Sequence, residues 1–389
     1  MLRRVTTIGV LVVLVVSLSF ASYGSSQPYD SIEDISHPYA FSVVRWETEW
    51  LLQMGPSLGD QTDVRGLPDG GVGLVLDYFS DNASQGDTSP AGQSSTSSAL
   101  HHVQAVMSSQ VTHVLRAQGI YITVPPFVRA VFPPVNFELS DMPRLLIISP
   151  RERIGLYRTV VLSPYLTMTE IEKIEASVEK LGFSALIEGL GGLSLYPSIV
   201  PADYTLEATL EIIVHEWFHQ YLFFTPLGKA YYSNYDMTTV NETVAEVAGR
   251  ELGSLVYDTY YDGMAAGASF SAIAQGTSSE NSFSFNDEMR TTRITVDTLL
   301  AQGRVDEAET YMRERRDYFS QHGYNIRKLN QAYFAFHGTY AASDPGTTSP
   351  IGQQVDYVRK SSSSLADFVQ KVSRLSSVEA LSRLVPARE

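Results

Sequence analysis

Cysteine is absent from all 389 residues. That absence excludes disulfides, thiolate metal sites, iron–sulfur clusters and a cysteine nucleophile, so any metal must be held by imidazole and carboxylate. Basic residues are scarce. Only 28 Lys+Arg face 43 Asp+Glu, giving a formal net charge of −15. A phosphate backbone demands a surface of the opposite sign, so nucleic acid is not an expected partner. Long apolar runs are missing beyond the first two dozen residues, which leaves room for one membrane crossing at most. Apolar and aromatic residues are plentiful: 44% of the chain is hydrophobic, with 22 Tyr and 17 Phe. A chain of this composition buries a large core and is not disordered as a whole.

Arg3 and Arg4 precede Val5–Ala21, a run of 17 residues without a charge. A basic start, an apolar stretch and the small residues Ser19 and Ala21 ahead of a cut match a secretory signal over residues 1–21. The same run sits at the lower limit for a membrane anchor, with its arginines on the cytoplasmic side. Both readings export the body of the protein, and membrane contact is expected only through this segment. An exported chain without cysteine needs no oxidative folding, which suits a bacterial-type envelope.

Residues 22–39, rich in Ser, Pro and Asp, read as a stalk. Helices are expected over Ala40–Leu58 and Ser98–Gln118, with a flexible Ser/Gly/Thr-rich loop over residues 78–98. Strand-like runs follow at Val135–Leu139, Leu145–Ser149, Thr159–Ser163, Phe183–Glu188 and Leu193–Val200, interrupted by one helix, Thr169–Leu181. From Thr205 the pattern is nearly all helical, including an αα-hairpin over Asp287–Gln302 and Val305–Gln321 and short closing helices within Ser362–Leu384. Strands first and helices after is an α+β arrangement. The expectation is a small mixed sheet in an N-terminal region (residues 40–200) packed on a helical region (residues 201–389).

The chemistry concentrates at His215-Glu216-Trp217-Phe218-His219. Thr205 is a plausible N-cap, and Leu210, Ile213, Trp217 and Tyr221 recur at helical spacing, so the motif lies on a buried helix. Histidines four apart project from one face and can share one ion, while Glu216 lies about 100° round the helix. Two histidines and a carboxylate are costly on such a helix without a partner, and the H-E-x-x-H pattern is that of zinc hydrolases. One Zn2+ is the expected cofactor, with Glu216 as general base.

A catalytic zinc site needs a third protein ligand. Metzincins place a Gly and a His at positions that here hold Leu222 and Thr225, so that class is excluded. The next acid-bearing segment is Asn241-Glu242-Thr-Val-Ala-Glu246, with Glu242 lying 23 residues after His219. The pair of motifs resembles gluzincins, the thermolysin-like and aminopeptidase-like metallopeptidases, over about residues 183–255. The resemblance implies Glu242 as third ligand and Glu246 as the carboxylate behind His215. Glu242, Glu246, Gly249 and Gly253 also share a face, which sets two acids beside two glycines that permit close helix approach. Thr239-x-x-Glu242 is equally a capping-box pattern, in which Glu242 would serve a helix start and leave Glu246 or Asp236 as ligand.

Donors for a developing oxyanion are sought among Tyr231, Tyr232 and Tyr235, and on a later stripe where Asn330, Tyr333, His337 and Tyr340 share a helical face. His337 or Tyr333 is the first choice, with Asn330 beside substrate. The segment Asn330–Tyr340 also looks like segments of uncharacterised bacterial metallopeptidase families. The glycine-rich run Phe183–Val200 precedes the zinc helix, where gluzincins pair an edge strand with substrate. Glu188 there is a candidate for a substrate amine, although the aminopeptidase Gly-x-Met-Glu-Asn signature is absent. Arg290 and Arg293 are candidates for a substrate carboxylate. His101, His102 and His113 read as packing or solvated histidines. The combined expectation is an exported zinc metallopeptidase acting on peptide or protein. The alternatives are a non-catalytic zinc-binding envelope scaffold and a zinc amidohydrolase acting on a non-peptide amide.

Overall fold

The structure, a computed structural model, describes residues 29–54, 68–84, 94–125, 127–263 and 283–386. The signal or anchor segment lies outside them. The chain is mixed α+β with small sheets. In chain order the helices are α1 (Tyr29–Ser36), α2 (Val43–Met54), α3 (Val72–Ser84), α4 (Ser94–Ala117), α5 (Met168–Glu179), α6 (Leu206–Phe223), α7 (Pro226–Lys229), α8 (Tyr235–Tyr261), α9 (Phe285–Ala301), α10 (Val305–Gln321), α11 (Gln331–His337), α12 (Ile351–Lys360), α13 (Leu365–Val372) and α14 (Val378–Ser382). The strands are β1 (Ile122–Val124), β2 (Val128–Ala130), β3 (Phe137–Ser140), β4 (Arg144–Pro150), β5 (Arg158–Leu162), β6 (Phe183–Gly189) and β7 (Ser198–Pro201).

The expected single mixed sheet is instead three separate pieces. An antiparallel sheet has the order β5-β4-β6, β3 and β7 pair in parallel, and β1 and β2 form a hairpin. Alternation along β4 and β6 explains the layering. Leu146, Ile148, Ala185 and Ile187 face α5 and α1, whereas Ile147 and Leu186 face Ala332 of α11. Strand β6 is an edge, and its outer backbone is covered by side chains. Ile187 N–H donates to Glu175 Oε1 at 2.7 Å, Ile187 O accepts from Arg327 Nη2 at 2.8 Å, and Ala185 O accepts from Asn330 Nδ2 at 2.9 Å.

The helical half is organised by α6 against α8. Thr205 caps α6 through Ala208 N–H, and Asn234 caps α8 through Met237 N–H. Their contact buries Leu210, Trp217, Phe218, Val240, Val244 and Leu252. Glycine is required where the backbones meet. A Cβ on Gly249 would lie 3.1 Å from His215 Cβ, and one on Gly253 would lie 2.6 Å from Glu211 Cα.

Two expectations are corrected. The region read as a stalk, residues 22–39, contains α1 and a 3-10 turn at His37–Tyr39, and Ile32 is fully buried against the sheet layer. Ile32, Ile35 and Tyr39 recur at three- and four-residue spacing, and that apolar stripe outweighs the polar composition. The loop read as flexible over residues 78–98 is entered from both sides by α3 and α4, with residues 85–93 outside the described set. The αα-hairpin forms as expected, as α9 and α10.

Gly253→Ala forces a methyl into the Glu211 backbone and is expected to destabilise the protein by about 1–3 kcal/mol. Urea unfolding measures this, and an unchanged midpoint would show that the helices do not meet this closely.

Candidate metal centre

Helix α6 brings the imidazoles of His215 and His219 together, with Nε2 atoms 3.0 Å apart and ring centroids 4.7 Å apart. Helix α8 delivers Glu242 opposite them. Its Oε2 lies 3.5 Å from His215 Nε2 and 3.3 Å from His219 Nε2. Among the described residues this is the one group of three or more His and acidic side chains whose ligand atoms all lie within 4.8 Å of one another. Glu242 sits two turns inside α8, and Thr239 Oγ1 donates to Tyr235 O, so the capping-box alternative does not apply. Asp236 stays in the first turn of α8, outside the cluster.

The surroundings fit a divalent cation. His219 Nδ1 is 2.9 Å from Asn241 Oδ1. An amide oxygen only accepts, so Nδ1 carries the proton and the Nε2 lone pair faces Glu242. Tyr231 Oη donates to Glu242 Oε1 at 2.5 Å. The other oxygen, Oε2, is buried and faces only the two imidazole Nε2 atoms, at 3.3 and 3.5 Å. A buried carboxylate oxygen left so is costly unless a cation meets it. Burial by itself raises the Glu242 pKa, but His219 and His215 outweigh it and hold the carboxyl well below the usual range. Burial lowers His219, yet Glu242 lifts it to about 9, so without a metal Nε2 takes a proton at the position a cation would fill.

Glu216 is buried beside this cluster. Burial pushes its carboxyl above the ordinary value, against weaker lowering by His215 and His219. The loop after β6 lies directly over it. Ser194 Oγ donates to Glu216 O at 3.0 Å, and a Cβ on Gly192 would fall 2.7 Å from Glu216 Cδ. Glycine at 192 therefore makes room for the carboxylate.

The later stripe divides. Tyr340 reaches the centre, with its ring 6.2 Å from that of His215. Its phenol is pushed well above the ordinary value by burial, then by Glu242, Glu216 and Glu246. The two first choices sit against each other. His337 and Tyr333 stack on each other at 4.2 Å, and His337 Nδ1 lies 3.8 Å from Asp344 Oδ2. Burial lowers His337 to about 4, so it is neutral near pH 7. Asn330 is spent structurally, accepting from Tyr333 N–H at 2.9 Å and donating to Ala185 O. Glu188 lies on the β6 face that meets α11, and burial raises its carboxyl.

Glu246 does not stand behind His215. Its carboxylate accepts from Ala342 N–H at 3.3 Å, which ties α8 to the turn that carries Tyr340. Arg293 is held by Asp297 at 2.9 Å and Gly346 O at 3.2 Å. His113 bonds Tyr260 at 2.5 Å, and neither it nor His101 or His102 joins a metal-ligand cluster. The roles missed from sequence are those of Asn241 and Tyr231. Asn241 directly precedes the ligand candidate, and that adjacency was the available signal.

Asn241→Ala releases the His219 ring and is expected to weaken divalent-cation affinity about 10–100-fold. Competition against a chromophoric chelator measures it, and unchanged affinity would remove Asn241 from the site. No protein-family model, no curated protein and no solved structure matches the chain.

Proposed function

We propose that the chain is an exported zinc metallopeptidase with a gluzincin-like core. What carries the reading is the convergence of His215, His219 and a buried Glu242 oxygen on one point, with the buried carboxylate of Glu216 alongside. The basic start and the uncharged run Val5–Ala21 support export. An intact Glu216 favours catalysis over a scaffold role, since holding a metal does not require it. A non-peptide amide would meet the same groups, and the peptide reading rests on the glycine-rich, backbone-accessible segment beside Glu216.

Zinc bound by His215, His219 and Glu242 would polarise the scissile carbonyl and acidify a water. Every other step belongs to side chains of this chain. Glu216, poorly solvated and raised in pKa, takes a proton and returns it to the leaving amine. Tyr231 spends its hydroxyl on Glu242. Tyr340 keeps its proton and is the donor left for the developing oxyanion.

Glu216→Gln is expected to keep stoichiometric zinc and lose about 10²–10⁴-fold in kcat on a peptide library. Glu242→Ala should lose the metal itself. Stoichiometric zinc with no cleavage by the unaltered protein would overturn the peptidase reading. A second expectation concerns pH. Glu216 acts as base only when ionised, and its folded pKa is raised. Activity should therefore fall as pH drops through a value above the ordinary carboxylate range. A kcat/KM profile flat down to pH of about 4 would remove Glu216 from that role.

A further inference from the structure

Strands β1 and β2 pair as Ile122↔Ala130, Thr123↔Arg129 and Val124↔Val128, and with no other strand among the described residues. Cross-strand partners share a face. Ile122, Val124 and Val128 therefore line one side of the ribbon, and Thr123 and Arg129 the other. The apolar side is open to solvent: Ile122 is 45% exposed, Val124 37% and Val128 56%, with Phe127 at the turn 90% exposed. Phe127 is held at φ 117°, a conformation that suits glycine. A large ring kept there against backbone preference points to a use for the ring.

The charge pattern says what would cover this surface. Between residues 117 and 137 the only charged side chain is Arg129, in a chain of net charge −15. Its guanidinium lies 4.9 Å above the Tyr121 ring. Apolar tip, aromatic and cation, with no carboxylate, match the layers of a lipid surface from acyl chains to phosphates. A second copy of the ribbon would offer Arg129 no anion. The run Val5–Ala21 independently brings the chain to a membrane at some stage.

The ribbon is fixed to the metal helix. Pro133 O accepts the Trp217 indole N–H at 2.8 Å, and the Phe132 ring lies 5.3 Å from that of Phe224, which is 41% exposed.

We propose that the β1–β2 ribbon is a lipid-surface contact: Phe127, Ile122, Val124 and Val128 enter the apolar boundary and Arg129 with Tyr121 meets the phosphate layer. This goes beyond contact through the N-terminal segment alone, and it docks the end of α6 toward the bilayer. It does not depend on the peptidase reading.

The lack of cysteine makes the test direct. Val128→Cys in the full chain is labelled with an environment-sensitive fluorophore and mixed with phosphatidylcholine vesicles containing a minor fraction of phosphatidylglycerol and doxyl-labelled lipid. Glu314→Cys, on the exposed side of α10, is the reference. The label at 128 should be quenched about fivefold more than that at 314. Adding Phe127→Gly, which suits the backbone at that φ and so spares the fold, should remove about half of that quenching or more. The proposal is overturned if the chain fails to float with the vesicles, if both labels stay equally unquenched on floating chain, or if Phe127→Gly changes nothing. A lipid-free blue shift that grows with protein concentration would assign the ribbon to a second copy and also overturn it.

Discussion

The closeness of α6 to α8 is the constraint on which the rest depends. Helix axes normally stand 8–10 Å apart, set by the side chains between them. Here Gly249 and Gly253 remove those side chains opposite Glu211 and His215. Glu242, two turns earlier on α8, is thereby carried to within about one atomic contact of both imidazoles. Other helices brace this pair. Helices α4 and α12 pack on α8, and Tyr261 at its far end bonds Gln110 of α4 at 2.5 Å, so α8 is supported along its length.

Electrostatics within the pair divide labour between two buried acids. Glu242 faces two imidazoles that hold its carboxyl low, whereas burial is the largest influence on Glu216 and raises it. Opposite environments push the pKa values of these neighbouring carboxyls apart without any difference in residue type. Tyr231 sharpens the division by occupying one Glu242 oxygen and leaving the other for the imidazole side.

Much of this site was legible in the sequence, for reasons that are local. The i, i+4 histidines must share a face if the segment is helical, and the apolar spacing around them demands a helix. Glycines at 249 and 253 on the Glu242 face forecast the close approach. Less was legible where tertiary contacts decide. Tyr340 was placed on one stripe with His337, but α11 ends at His337 with Gly338 as its C-cap. The chain turns there, and Tyr340 comes against the His215 ring, its centroid 6.2 Å away. Glu246 has the right spacing for His215 but is taken by the Ala342 N–H, a contact 96 residues away in the chain. Helix α1 was hidden because three apolar residues among Ser, Pro and Asp carry little weight until a sheet is present to bury them. The ribbon of β1 and β2 is hard to read because its strands are three residues long and two prolines, Pro125 and Pro126, stand between them.

The covered edge of β6 has a consequence for how the sheet meets other chains. An uncovered edge strand is a template on which another molecule can add a strand. Asn330, Glu175 and Arg327 occupy the outward groups at Ala185 and Ile187, so edge-to-edge growth of the sheet is blocked along that stretch. Beyond it the strand runs into Gly189-Leu190-Gly191-Gly192, in which Leu190 is the one side chain, and finishes against Glu216. Room for an added extended strand is thus limited to a window a few residues long, and that window lies beside Glu216 of α6.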